Sequence, residues 1–131
     1  MKQIISLYGK GHIGKTETLN LLIDLLKVAT TGCSMPTPQA TGQDRKETFN
    51  YNGKIIYICT GGDDENTLKD NCLYFMQKGC DVAISAARSR GKTHRVLESL
   101  ATKNNTSITW IKKLDNPNMN TQVAQSIFNL L

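Results

Sequence analysis

The chain has 131 residues, and 16 Lys plus Arg against 11 Asp plus Glu leave a net charge of +5. That length supports one α/β domain spanning 1–131 and excludes two independent ones; the mild cationic excess suits a polyphosphate, and with no aromatic-basic stripe beside it nucleic-acid binding is not expected. Cys33, Cys59, Cys72 and Cys80 form no C-x-x-C pair and have no zinc-like His spacing, and the N-terminus carries no signal-type segment, so reduced thiols in a cytoplasmic protein are expected.

Lys2 to Tyr8 is short and apolar and reads as a strand. Directly after it, Gly9-Lys10-Gly11-His12-Ile13-Gly14-Lys15-Thr16 fits the phosphate-binding pattern G-x-x-x-x-G-K-[ST]. Glycines are needed there because the backbone must curl around a diphosphate with its N–H groups turned inward. Lys15 then neutralises the outer phosphates, and Thr16 offers its hydroxyl to Mg²⁺ at the positive end of the following helix. Lys10 adds positive charge near the terminal phosphate, and His12 is expected to face solvent. The helix runs from about Lys15 to Val28, with Leu19, Leu22, Ile23 and Leu26 on one face and Leu21 and Leu25 widening it. Its apolar stretch, Leu19 to Ala29, is interrupted by Asn20, Asp24 and Lys27, so no membrane insertion is expected. Thr30 to Lys46, with Pro36 and Pro38, reads as a long loop beside the phosphate site.

Two β-like runs follow, Glu47 to Tyr51 and Lys54 to Cys59, joined by the hairpin dipeptide Asn52-Gly53. Thr60-Gly61-Gly62 ends the second run, and Asp63-Asp64-Glu65 opens a helix of about Glu65 to Lys78. An NTPase usually carries a Mg²⁺-directed carboxylate at the end of such a strand, and here that slot holds Cys59. Asp63 or Asp64 acting through water, or Asp44 from the loop opposite, are the substitutes; Asp63 and Asp64 are equally explained as helix N-terminal acids. With no Gln after Gly62, Glu65 is the nearest candidate to orient a water.

The strand Asp81 to Ala86 leads into a second formal match to the loose pattern, Ala86-Ala87-Arg88-Ser89-Arg90-Gly91-Lys92-Thr93. Its single glycine and its two arginines where backbone must approach phosphate argue against a phosphate loop. Arg88, Arg90, Lys92 and Arg95 read either as a solvated basic loop or as cations that reach a triphosphate, with Arg88 and Arg90 as catalytic candidates. A helix from about Thr93 to Lys103 and a strand from Ser107 to Lys112 follow, with Trp110 expected in the core rather than as a stacking platform. Asp115-Asn116-Pro117-Asn118 precedes a terminal helix from about Thr121. Strands alternating with helices imply a mainly parallel sheet covered on both faces, with ligands at the carboxyl ends of the strands.

Taken together these segments resemble the P-loop nucleoside triphosphate hydrolase superfamily in element order across nearly the whole chain. Gly9 to Thr16 are similar to its Walker A loop, and Thr37 or Thr41 stand where a switch threonine is found. Cys59-Thr60-Gly61-Gly62 stands where the GTPases have D-x-x-G. Lys112-Lys113-Leu114-Asp115 resembles a degenerate N-K-x-D base-recognition motif, in which Lys113 and Asp115 match. Lys10 in G-K-G-x-x-G-K-T resembles the deviant loop of dimerising ATPases, in which that lysine reaches the partner subunit's nucleotide. The resemblance implies a three-layer α/β fold that binds ATP or GTP with Mg²⁺. It also implies hydrolysis that is slow or completed by a protein partner or a second copy. Lys15 is then catalytic, Gly9 to Thr16 with Lys113 and Asp115 hold nucleotide, and Thr16 and Asp63 serve the metal. A small phosphotransferase whose arginines hold an acceptor, or a non-catalytic nucleotide-binding module, are the alternatives.

Overall fold

The computed structural model describes residues 1–31, 45–77 and 79–131. Thr37, Thr41, Asp44 and Cys33 lie outside the described residues. Among the described residues, five strands form one mixed, mostly parallel sheet, and four helices cover it. The strands are β1 (Gln3–Tyr8), β2 (Lys46–Tyr51), β3 (Lys54–Cys59), β4 (Val82–Ala87) and β5 (Ile108–Lys112), in the spatial order β2-β3-β4-β1-β5. The helices are α1 (Lys15–Thr31), α2 (Glu65–Gln77), α3 (Lys92–Lys103) and α4 (Asn120–Phe128), with a 3₁₀ turn at Pro117–Met119.

Local chemistry accounts for most of these boundaries. Asn52 and Gly53 both take positive φ, 52° and 73°, the backbone hand that a tight hairpin needs, and β2 pairs antiparallel with β3 across them. Asp64 caps α2 by accepting from the Thr67 backbone N–H at 2.7 Å. Pro117 opens the 3₁₀ turn, where Asn116 accepts from the Asn118 N–H at 3.2 Å.

Side-chain alternation along the strands divides the core in two. Ile5, Leu7, Ile56, Ile58, Val82, Ile84 and Ala86 face one way, onto Leu19, Leu22, Ile23 and Leu26 of α1 and Ala124 and Ile127 of α4. Ile4, Tyr57, Cys59 and Ala83 face the other, onto Phe75 of α2 and Leu100 and Ala101 of α3. A helix pair therefore lies on each face of the sheet. At about 25 cal/mol per Å² of apolar surface removed from water, both layers are strongly favoured. None of the described helices is long and apolar enough to cross a membrane.

Strand order and helix placement together locate a crevice. β1 and β4 are neighbours and parallel, yet β1 leads into α1 on one face while β4 leads into α3 on the other. The two connections part company at the strand ends, and such a switch point is where open α/β sheets leave room for a ligand.

Candidate functional site

The Gly9 to Thr16 segment occupies that crevice. Gly9 is buried, and a Cβ there would meet the Ile13 side chain at 2.6 Å and the Lys113 carbonyl at 3.0 Å. Ile13 is 5 % exposed and pins the loop down, while Lys10 and His12 are exposed at its tip. His12 (φ 61°) and Gly14 (φ 95°) both take left-handed backbone, which turns the chain sharply into α1. Asn120, at the start of α4, packs on Gly14, within 3.1 Å of where a Cβ would lie.

Two ammonium groups are buried under this one loop. Lys15 is 4 % exposed and Lys113 2 %, and no other charged residue is buried among those described. Lys15 Nζ donates to the carbonyls of Gly9 and Ala87, the latter at 2.9 Å, and pairs with Asp63 Oδ1 at 2.9 Å. Burial holds its pKa below the usual lysine value, the Asp63 carboxylate works against that shift, and Arg88 adds to it. Lys113 Nζ reaches the carbonyls of Ile13 at 3.1 Å, Leu114 at 2.6 Å and Asn116 at 3.5 Å, and burial lowers its pKa while Asp115 and Glu17 oppose the shift. Its ammonium thus ties the β5–α4 connection to the phosphate-pattern loop, and Asp115 beside it is exposed.

The segment after β3 crosses over the end of β4 to reach the same place. Gly62 makes this crossing, since a Cβ there would sit 1.9 Å from the Ala86 carbonyl oxygen. Asn71 on α2, 1 % exposed, supports it by donating to the Gly61 carbonyl at 2.9 Å. Thr16 Oγ1 donates to the Thr60 carbonyl at 3.3 Å, and Asp63 arrives against Lys15. Asp64 and Glu65 do not join this cluster of contacts: Asp64 caps α2, and Glu65 pairs with Lys69 at 3.1 Å and Lys92 at 3.8 Å. Of the neighbouring acids only Asp63 contacts the loop lysine.

Arg88 is drawn in from β4. Its guanidinium lies against Gly11, where a Cβ would be 2.8 Å from Nη1, and its Nε donates to the Asp63 carbonyl at 2.9 Å. Thr93 Oγ1 accepts from the Arg88 N–H at 3.1 Å, and His94 Nε2 donates to the Arg88 carbonyl at 2.6 Å. His94 in turn stacks on Trp110 with ring centroids 4.3 Å apart, and Tyr8 meets both rings edge-on. Trp110 is half-buried against the Leu68–Ala87–Leu97 cluster, so it serves both as core and as a stacking surface for His94. Arg90 is exposed, and no ion pair or hydrogen bond holds it among the described residues. Lys92 is also exposed and pairs with Glu65, unlike the buried Lys15 at the corresponding place in the first pattern.

Sequence reasoning met Thr93 only as the end of the second pattern and overlooked Asn71, His94 and Asn120, whose side chains position the site from α2, α3 and α4. Their only signal is tertiary. The Cys59 side chain, expected in the slot of a metal-directed carboxylate, is wholly buried among Tyr57, Phe75 and Ala83 on the α2–α3 side. Burial pushes its thiol up to about 12. Such a thiol is inert at neutral pH. Peptide mapping after iodoacetamide treatment at pH 8 is expected to show Cys59 and Cys80 unmodified in native protein and alkylated in denaturant; rapid native labelling of Cys59 would contradict the burial.

A separate apolar groove of about 500 Å³ lies between α2 and α3, lined by Cys72, Leu73, Met76, Val96 and Leu100 with Lys69 and Lys103 among its walls. It holds none of the cluster built on Lys15. No protein-family model, curated protein or solved structure matches the chain.

Proposed function

We propose that the chain is a P-loop protein that binds a purine nucleoside triphosphate with Mg²⁺ on Gly9 to Thr16, and hydrolyses it slowly or when a partner completes the site. The observation that carries this reading is the pair of buried ammonium groups, Lys15 and Lys113, held against one glycine loop at a sheet switch point. Burying an ammonium costs several kcal/mol unless anions or dipoles compensate it. Here carbonyl oxygens and a single half-exposed carboxylate do so, leaving a positive potential that a polyphosphate neutralises.

Thr16 and Asp63 are hard oxygen donors at the two sides of the crevice and fit Mg²⁺. When bound, the metal offsets charge on the phosphates. With nucleotide bound, Lys15 would exchange the Gly9 and Ala87 carbonyls for the outer phosphates, and the turn of Gly11 to Gly14 would offer backbone N–H groups to the anion. Arg88, already over Gly11, is placed to stabilise charge on the terminal phosphoryl as water attacks in line. Arg90 is not so placed and is assigned no catalytic part.

Titration calorimetry with Mg²⁺-ATP and Mg²⁺-GTP, followed by chromatography of the recovered nucleotide, tests the proposal. Binding in the micromolar range is expected, and no binding below about millimolar, near 4 kcal/mol, would sink it. A GTP preference that disappears in Asp115→Ala would assign Asp115 to base reading. Arg88→Ala is expected to lower turnover on the order of 10³-fold while changing nucleotide affinity less than about tenfold, measured by single-turnover phosphate release. A phosphotransferase would instead form product only when an acceptor is added.

A further inference from the structure

Asp63 contacts both of the cations assigned to the nucleotide site, Lys15 for binding and Arg88 for turnover. Its carboxylate Oδ1 lies 2.9 Å from Lys15 Nζ and 3.8 Å from Arg88 Nε, and its backbone carbonyl accepts from that same Nε at 2.9 Å. Lys15 is buried, so its pairing with Asp63 is screened by water far less than an exposed ion pair would be. Arg88, held at its carbonyl by His94 and at its N–H by Thr93, lies on Gly11. An anion cannot reach the Lys15 ammonium in this arrangement without displacing a carboxylate already there.

We infer that Asp63 is an internal competitor for the phosphate seat, and that it exchanges Lys15 in the free protein for the Mg²⁺ of the bound nucleotide. The inference rests on the nucleotide-binding reading and adds a rule to it. Metal-free nucleotide must evict Asp63 and then leave a carboxylate facing the triphosphate, whereas the Mg²⁺ complex gives the evicted carboxylate a cation to face. A competing state lowers apparent affinity by the fraction of molecules it occupies. Asp63 therefore makes the site selective for the metal complex over the bare nucleotide, and it does so by charge rather than by shape.

Eviction also has a built-in reporter. Trp110 is the chain's single tryptophan, and it is linked to Arg88 through the stacked His94 ring. Releasing Arg88 from the Asp63 carbonyl therefore changes the surroundings of the one indole.

The decisive comparison is wild type against Asp63→Asn, a change of charge with little change of shape at a half-exposed position, with Asp63→Ala as a second variant. Each is titrated with ATP and GTP in EDTA and again in excess Mg²⁺, by calorimetry and by tryptophan emission. Wild type should bind the Mg²⁺ complex far more tightly than bare nucleotide. Asp63→Asn should bind bare nucleotide about tenfold more tightly than wild type and gain little from Mg²⁺, and its emission, with the backbone carbonyl that holds Arg88 retained, should start near that of unliganded wild type and move on binding as wild type does. If wild type binds nucleotide but both variants bind the bare form no more tightly than it does, Asp63 is no competitor and the inference fails while the nucleotide reading stands. If wild type binds nucleotide under neither condition, the nucleotide reading falls and this inference falls with it.

Discussion

Replacing Lys15 with Met is expected to weaken Mg²⁺-nucleotide binding by about 100-fold or more while moving the stability of the unliganded protein by only about 1 kcal/mol. The two halves of this expectation have separate causes. Charge-assisted hydrogen bonds from an ammonium to phosphate oxygens contribute about 1.5–3 kcal/mol each, and in the proposed complex Lys15 is the buried cation that would meet the outer phosphates. In the free protein the same ammonium is a burden: burial lowers its pKa, and its compensation comes from two carbonyls and Asp63. Methionine removes the desolvation cost along with those contacts. Asp63, with a side chain 47 % exposed, then recovers water rather than being left as a buried orphan charge. Calorimetry and urea unfolding read the two halves independently, and near-native affinity in this variant would refute the assignment of the loop. The sign of the pH dependence follows from the same shift. Lys15 has a free-state pKa below 10.5, and bound polyphosphate raises it, so binding above the free-state pKa takes up a proton. Wild-type affinity should fall as pH rises through that alkaline window, and Lys15→Met should lose this part of the dependence.

Much of this architecture could be read from residue order. The Asn52-Gly53 hairpin, the alternation of apolar runs with helical patterns and the glycine loop at Gly9 to Thr16 all rest on local chemistry, and local chemistry survives in a linear string. Strand adjacency does not. Period-2 patterning says which face Cys59 shares with Tyr57, but it does not say that β4 separates β3 from β1. That insertion is why the residue meeting Lys15 lies four positions beyond Cys59, after a crossing that only Gly62 allows. A similar limit applies to Lys113. Its motif marks it only as a residue that would hold nucleotide beside Asp115, and the structure lays its ammonium on the Ile13, Leu114 and Asn116 carbonyls, contacts no spacing rule reveals. The basic loop after β4 was visible as a run of charge. Which arginine of that run turns inward depends on hydrogen bonds from Thr93 and His94, one turn into α3, and so separates Arg88 from Arg90 only in three dimensions.

Gly62→Ala is expected to destabilise the fold by about 3 kcal/mol and to disconnect Asp63 from Lys15 in whatever folded protein remains. The added methyl would lie 1.9 Å from the Ala86 oxygen and 2.4 Å from the Ala86 carbonyl carbon, and this obstacle is backbone of the central strand β4, paired with β1 on one side and β3 on the other. β4 cannot yield without breaking ladder bonds, so the segment Thr60 to Asp63 must lift instead. Lifting it carries the Gly61 carbonyl away from Asn71, which is buried and would lose one of its two acceptors, keeping only Ser85 Oγ. Gly53→Ala separates this steric cost from the loss of glycine as such. At Gly53 there is no atom within 4 Å of the new methyl, and the only penalty is the φ of 73°, about 1 kcal/mol. Urea midpoints should therefore fall much further for Gly62→Ala than for Gly53→Ala. Tryptophan emission should shift only in the former, because Arg88 loses the Asp63 carbonyl that holds it. Equal losses in the two variants would mean that the crossing over β4 is not the constraint that brings Asp63 to the loop.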